Sequence, residues 1–198
     1  MQSKPVIVIL AAGRGTRFEG AVHKLAQPFG SSTVLGTTLS HAIESQLGVV
    51  VVTVPDLVDL ASTWLARRDI VVLADQAGSA GWHGGMGVSI AAGVAARADA
   101  TGWLVLPGDM PLVRPDTLRS VAQALELHLV ACAQYQGRRG HPVGFSAELY
   151  SELTQLGGDE GARRVVARYP SIGLELDDPG VLVDIDTQQD LERARIAR

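Results

Sequence analysis

Two kinds of charged residue, set far apart along the chain, carry the chemistry that this sequence can do. Arg17 and Lys24 follow the glycine-rich run Leu10-Ala-Ala-Gly-Arg-Gly-Thr-Arg17, while Asp109 ends Leu104-Val-Leu-Pro-Gly-Asp109 and Asp186 ends Val183-Asp-Ile-Asp186. Glycines let backbone N–H groups approach phosphate oxygens closely, and cationic side chains supply countercharge. Carboxylates suit Mg²⁺, which is held by one or two of them together with substrate phosphate and water. The residue types therefore point to a phosphate-bearing substrate and a divalent cation. Each aspartate also has a structural alternative. Asp109 can close an Asx-type turn or cap the helix after it, although Asp116 is the better placed cap. Asp186 can start the terminal helix, and for Asp184 the structural role is the preferred one.

These residues need elements to position them. Val6-Ile-Val-Ile-Leu10 is apolar without alternation, as a parallel strand buried on both faces should be, and it empties into the basic glycine turn. The same pattern predicts strands over 5–10, 49–54, 70–74, 102–106 and 129–135, and helices over 34–46, 56–67, 88–98, 115–126 and 187–197. Such alternation implies an α/β fold, a Rossmann-like three-layer sandwich with a mostly parallel sheet. Residues 137–186 break the rhythm: they are glycine-rich, hold two short helical segments, end in strand-like pieces at 172–176 and 181–185, and read as a small irregular insertion covering the sheet edge. In such sheets ligands sit beyond the carboxyl ends of the strands, where the glycine turn and Asp109 both fall.

The bulk properties exclude several classes. A chain of 198 residues with 46% hydrophobic content is read as one domain spanning 1–198. A net charge of −4 argues against a nucleic-acid surface, which needs a broad basic patch. No apolar run is long enough for a membrane span or a signal segment, so a cytoplasmic location is expected. The single cysteine, Cys132, lies in the apolar run Leu129-Val-Ala-Cys-Ala133 and reads as a small buried hydrophobe rather than a nucleophile. Gly13 and Gly15 begin a G-x-G pattern whose third glycine falls on Phe18, and the chain has no Gly-Lys pair, so neither the dinucleotide fingerprint nor a P-loop is present. The five histidines lack the spacing of a zinc site.

Six segments in register carry a resemblance: Leu10-Ala-Ala-Gly-Arg-Gly-Thr-Arg17, Trp82-His-Gly-Gly-Met-Gly-Val-Ser-Ile90, Pro107-Gly-Asp-Met-Pro111, Arg139-Gly-His-Pro-Val-Gly-Phe145, Gly158-Asp-Glu-Gly-Ala-Arg163 and Asp184-Ile-Asp-Thr-Gln-Gln-Asp-Leu191. Together they resemble the molybdenum cofactor cytidylyltransferase family, a MobA-like branch of the Rossmann-like nucleotidyltransferases. The resemblance implies transfer of CMP from CTP to the terminal phosphate of molybdopterin, with release of pyrophosphate and with Mg²⁺ as cofactor. It also implies a molybdenum hydroxylase as recipient of the product. Ala11-Ala12-Gly13 resembles the cytidylyl enzymes, where guanylyl enzymes of the same pathway carry Ala-Gly-Gly. Arg139-Gly-His-Pro142 resembles the acceptor-side segment of the cytidylyl branch.

On this resemblance Arg17, Lys24 and Asp109 are catalytic. The nucleotide is met by Leu10, Ala11, Ala12, Gly13, Arg14, Gly15 and Lys24, by Gly87 and Ser89, and by Pro107 and Gly108. Asp109 and Asp186 hold the metal, and Arg139, Gly140, His141 and Asp159 meet the acceptor. A phosphate monoester is already an anionic nucleophile near neutral pH, so the reaction needs alignment and charge neutralisation more than a general base. Some of these residues have other readings. Gly85, Gly87 and Ser89 also suit a glycine-rich turn capped by serine, His141 an extended position before Pro142, and Asp159 an exposed ion pair with Arg163. The chain departs from the family pattern at Arg17-Phe-Glu-Gly20, which inserts Glu19 beside the expected phosphate site, and at Lys24-Leu-Ala26, where Lys-Leu-Leu is usual. Other readings of the architecture are a guanylyl or other nucleotidyltransferase acting on a different phosphate acceptor, an oxidoreductase or accessory protein that has lost transfer, and a cofactor chaperone that binds pterin without nucleotide.

Overall fold

The computed structural model describes residues 4–13, 18, 22–73 and 85–197. In chain order the elements are β1 (Val6–Ala11), the two-residue strands β2 (Pro28–Phe29) and β3 (Ser32–Thr33), α1 (Val34–Glu44), β4 (Gly48–Thr53), α2 (Val58–Ser62), β5 (Ile70–Val72), α3 (Met86–Ala95), β6 (Gly102–Pro107), α4 (Pro115–Ala124), β7 (Val130–Tyr135), β8 (Arg138–Ser146), α5 (Tyr150–Thr154), α6 (Arg163–Arg168), β9 (Ser171–Glu175) and α7 (Gln188–Ile196). A short 3₁₀ turn at Lys24–Ala26 precedes the small β2–β3 hairpin, and another spans Pro179–Leu182.

The large sheet has seven strands in the order β5-β4-β1-β6-β8-β7-β9. β5, β4, β1 and β6 are parallel, β8 runs antiparallel to both of its neighbours, and β9 is parallel to β7. Alternate residues of each central strand feed two cores, as a period of two requires. Ile7, Ile9, Val49, Val51, Leu104 and Leu106 pack on one face with Leu35 and Leu39 of α1, Leu118 and Val121 of α4 and Leu191 of α7. Val6, Val8, Val50, Val52, Trp103 and Val105 pack on the other with Ile90 and Val94 of α3, Leu153 of α5 and Val165 of α6. Each fully buried leucine or isoleucine contributes about 1.5–3 kcal/mol, which explains why the strands are apolar at every position rather than at every second one. The result is the three-layer α/β arrangement expected from the sequence.

Four expectations need correction. The Arg138–Ser146 segment is no edge-covering insertion: it forms β8, the longest strand, in the interior of the sheet between β6 and β7. The edge is taken instead by β9, close to the predicted 172–176, whereas the region predicted as a strand over 181–185 is a 3₁₀ turn followed by irregular chain. The helix predicted over 56–67 is broken into a 3₁₀ turn at Pro55–Leu57, the single α-helical stretch α2 and a further 3₁₀ turn at Arg67–Asp69. Asp116 does not cap α4. That helix opens with Pro115 after Arg114 and has no side-chain cap; Asp178 braces its start, its Oδ2 accepting from the Arg114 N–H at 2.9 Å and the Thr117 hydroxyl at 2.6 Å. Asp116 instead pairs with Arg119.

The strand order places a ligand site. From β1 the chain runs to β4 and β5 on one side of the sheet, then returns to β6 on the other. A crevice opens where the direction of winding reverses, beyond the carboxyl ends of β1 and β6.

Candidate active site

A cleft of about 650 Å³ occupies that crevice. Its walls bring together Leu10, Ala12 and Gly13 from the end of β1, Lys24, Pro107 and Asp109 from the end of β6, and Asp184 and Asp186 from the segment before α7. Ser89 of α3 and Asp159 also face it, as do Arg139, Gly140 and His141 of β8. Ala11, Gly87 and Gly108 do not line it. Arg14, Gly15, Arg17 and Glu19 lie outside the described residues, as do Trp82 to Gly84 of the second motif.

Lys24 joins the distant carboxylates. Its Nζ donates to Oδ2 of Asp109 at 2.6 Å and to Oδ1 of Asp186 at 2.8 Å, across sequence separations of 85 and 162 residues. The side chains are 11%, 16% and 22% exposed, respectively, so the charges are largely removed from water. Burial works to lower the lysine pKa, but the charge of Asp109 and its hydrogen bond, then the hydrogen bond and charge of Asp186, outweigh it and hold the ammonium above its ordinary value. The second oxygen of Asp109, Oδ1, is buried and has no hydrogen-bond partner among the described residues. A buried carboxylate oxygen without a partner is costly, and a cation would satisfy it.

Backbone bonds fix this geometry. The Gly108 N–H donates to the Leu10 carbonyl at 2.9 Å, tying the end of β6 to the end of β1. The buried Thr38 of α1 donates from its hydroxyl to the Gly108 carbonyl at 3.0 Å, which holds the turn that carries Asp109. The Ile185 N–H donates to the Asp109 carbonyl at 3.0 Å, and this bond brings Asp186 to Asp109 from the far end of the chain. Thr187 then caps α7 in a reciprocal capping box with Asp190, so Asp186 sits immediately before a rigid helix start. On the opposite side, His23 Nδ1 accepts from the Leu25 N–H at 3.2 Å, and Nε2 lies 3.0 Å from the Gly13 carbonyl, to which it can donate. One imidazole thus links the glycine turn to the lysine turn.

The remaining wall is built differently. β8 presents exposed Arg138 and half-buried Gly140 and His141, and Arg139 Nη1 donates to the Ser171 hydroxyl at 3.0 Å. Gly140 is required by close approach: a Cβ there would lie 2.0 Å from the Val181 carbonyl oxygen. The backbone of β8 therefore packs directly on the 179–182 turn that leads to Asp184 and Asp186. Burial pushes the His141 pKa down, against the charges of Asp109 and Asp184, which favours the neutral imidazole. Gly87, by contrast, packs against the backbone: its N–H donates to the Gly158 carbonyl at 3.0 Å, and a Cβ would meet the Gly157 oxygen at 2.6 Å. Ser89 does not cap α3, whose N-cap is Gly85; its hydroxyl turns back to the Gly85 carbonyl at 3.5 Å. Near Asp159 the ion pair is Glu160 with Arg164. Cys132 is buried in β7, and burial raises its thiol pKa despite the charge of Arg139.

Sequence reasoning missed His23, Thr38 and Arg138, and it gave Asp184 a structural role although that residue faces the cleft. The doubled arginine at 138–139 was a visible signal. His23 and Thr38 act through backbone carbonyls and belong to no motif.

An α/β sheet with a reversal-point cleft, a glycine turn, a lysine and converging carboxylates is the architecture of a nucleotidyltransferase. The model of the MobA-like NTP transferase domain family matches residues 7–172, and the chain belongs to that family. It is 30% identical over 206 residues to the purine catabolism protein PucB of Bacillus subtilis, covering 96% of this chain and 95% of PucB. Rv0371c of Mycobacterium tuberculosis superposes with a TM-score of 0.81 at 28% identity, covering 98% of this chain and 99% of that one. A structure of Rv0371c in complex with manganese gives a TM-score of 0.78, also at 28% identity, over the full length of both chains. Among the described residues, no helix is long and apolar enough to cross a membrane.

Proposed function

We propose that this protein moves CMP from CTP to the terminal phosphate of a molybdopterin acceptor with release of pyrophosphate, and that Mg²⁺ is the cofactor. The observation that carries this reading is the Lys24 ammonium held between Asp109 and Asp186 at the mouth of the glycine turn. The two carboxylates and the partnerless Oδ1 of Asp109 fit a divalent cation, and the manganese complex of Rv0371c supports the same class of metal. When bound, the cation neutralises phosphate charge.

The chain's own groups do the rest. Backbone N–H groups of residues 12–15 hold the triphosphate, while Lys24 and Arg17 screen it and stabilise the charge that develops on pyrophosphate. Arg139 and His141, on the opposite wall, orient the acceptor, and a neutral His141 suits hydrogen bonding there rather than ion pairing. An acceptor phosphate oxygen attacks the α-phosphorus, a P–O bond forms, and the α–β bridging oxygen leaves with its electron pair as part of pyrophosphate. No proton has to be removed from the nucleophile, which accords with a site built of charges rather than of a base and an acid. Ala11-Ala12-Gly13 favours cytosine as the base, and a molybdenum hydroxylase is the proposed recipient of the product. A cofactor chaperone would have no use for a paired lysine and carboxylates at the nucleotide end of the cleft.

Incubation with Mg²⁺, molybdopterin and each nucleoside triphosphate in turn, read as pyrophosphate release, tests the proposal. Release is expected with CTP ahead of GTP. Its absence with every nucleotide would remove the transferase reading, and release only with a sugar phosphate as acceptor would replace molybdopterin.

A further inference from the structure

Lys24 stands where a metal ion would stand. Its ammonium contacts one oxygen of each carboxylate proposed as a metal ligand, at 2.6 and 2.8 Å, and it leaves the other oxygen of Asp109 buried with no partner among the described residues. Two cations sharing these oxygens would sit within a few ångströms of one another in a largely water-free site, where like charges repel strongly. Without the lysine the two carboxylates would lie close together with less countercharge between them. The lysine's four-carbon stem is flexible, and Gly13, at the start of the run proposed to bind phosphate, lines the same cleft and is tied to the lysine turn through His23. The ammonium therefore has two alternative anionic partners, the carboxylates and the triphosphate.

We infer that Lys24 is a built-in counter-ion that closes the cation site until a triphosphate draws it away, so that nucleotide and divalent cation bind as a coupled pair and neither is held firmly alone. This rests on the reading of Asp109 and Asp186 as metal ligands. Coupling of this kind is reciprocal: whatever factor the nucleotide adds to metal affinity, the metal adds to nucleotide affinity.

Two measurements test it. Mn²⁺ binding without nucleotide, followed by electron paramagnetic resonance, should be about tenfold tighter or more in Lys24→Gln than in the unaltered protein, because the competing charge is gone. Adding Asp109→Asn to that variant should abolish the gain. Equal Mn²⁺ affinity in Lys24→Gln and the unaltered protein would overturn the inference. The second arm needs no variant. Lys4 and Lys24 are the chain's two lysines, so lysine-labelled protein gives two side-chain resonances. The Lys24 signal should hold still with Mg²⁺ alone and move when Mg²⁺ and a non-transferable CTP analogue are present together. A Lys24 signal that moves with Mg²⁺ alone, or not at all with the pair, would also overturn it. Pyrophosphate release separates the two claims: release with unchanged Mn²⁺ affinity in Lys24→Gln sinks the coupling and keeps the transferase, and the converse result does the reverse.

Discussion

The two walls of the cleft are built on opposite principles. The wall proposed to meet the nucleotide rises from the carboxyl ends of two adjacent parallel strands, β1 and β6, whose register sets Leu10 beside Pro107 and whose ends are bonded to each other through Gly108 and Leu10. The wall proposed to meet the acceptor is the polar first half of the antiparallel strand β8, laid against a 3₁₀ turn with glycine-thin packing at Gly140. The first is a fixed charge constellation on turns bonded to the ends of buried strands. The second is a surface of exposed arginines whose shape depends on one close backbone approach. A fixed constellation suits the chemical step, in which charge must be preorganised, and the solvent-facing start of a strand suits a variable acceptor.

Substitutions on the two walls should therefore separate in kind. The largest effect is expected from Asp109→Asn, which removes a charge but little volume: pyrophosphate release should fall in kcat by about 10²–10³, the scale for loss of one preorganised electrostatic group. An unchanged kcat would mean that Asp109 only shapes the turn. Gly140→Ala should act on the other wall, because its methyl group would collide with the Val181 carbonyl. A stability loss of about 1–3 kcal/mol is expected from such overpacking, together with a raised KM for the acceptor and an unaltered KM for the nucleotide. Equal rises in both KM values would show that the walls are not independent.

The smallest effect concerns the support beneath Asp186. Hydrogen bonds from Thr187, side chain first and then backbone, hold the Asp190 carboxyl below its usual range. A group whose pKa is lower folded than unfolded stabilises above its unfolded pKa and loses that contribution as pH falls through the folded value. Thermal unfolding of the unaltered protein should thus weaken below about pH 4, and Asp190→Asn should flatten that limb while leaving the neutral plateau only slightly lower. An identical acid limb in both proteins would remove the capping box from the account.

The same division governs what could be read from residues. β1, β4 and β6 were legible because strands buried on both faces are apolar at every position, and the glycine turn and Pro107-Gly108-Asp109 sit at their ends. β8 was not, because Arg138-Arg-Gly-His-Pro142 looks like loop chemistry: two charges, a glycine and a proline, with close burial only toward Phe145. Its pairing partners supply what its own composition lacks. Asp186 stood out by its type and spacing and lines the cleft, yet the bond that places it there, from the Ile185 N–H to the Asp109 carbonyl, involves no side chain and leaves no trace in sequence. The bracing of the start of α4 by Asp178 escaped for a related reason, since a partner 64 residues away leaves no local signature.

The most direct test is crystallographic: crystals soaked with Mn²⁺ and a non-transferable CTP analogue, with the metal located by its anomalous scattering. A manganese peak is expected against Asp109 and Asp186, with the triphosphate on the glycine run after β1 and the Lys24 ammonium turned from the carboxylates to phosphate oxygens. A metal and triphosphate bound elsewhere, with Lys24 still bridging Asp109 and Asp186, would contradict the proposal.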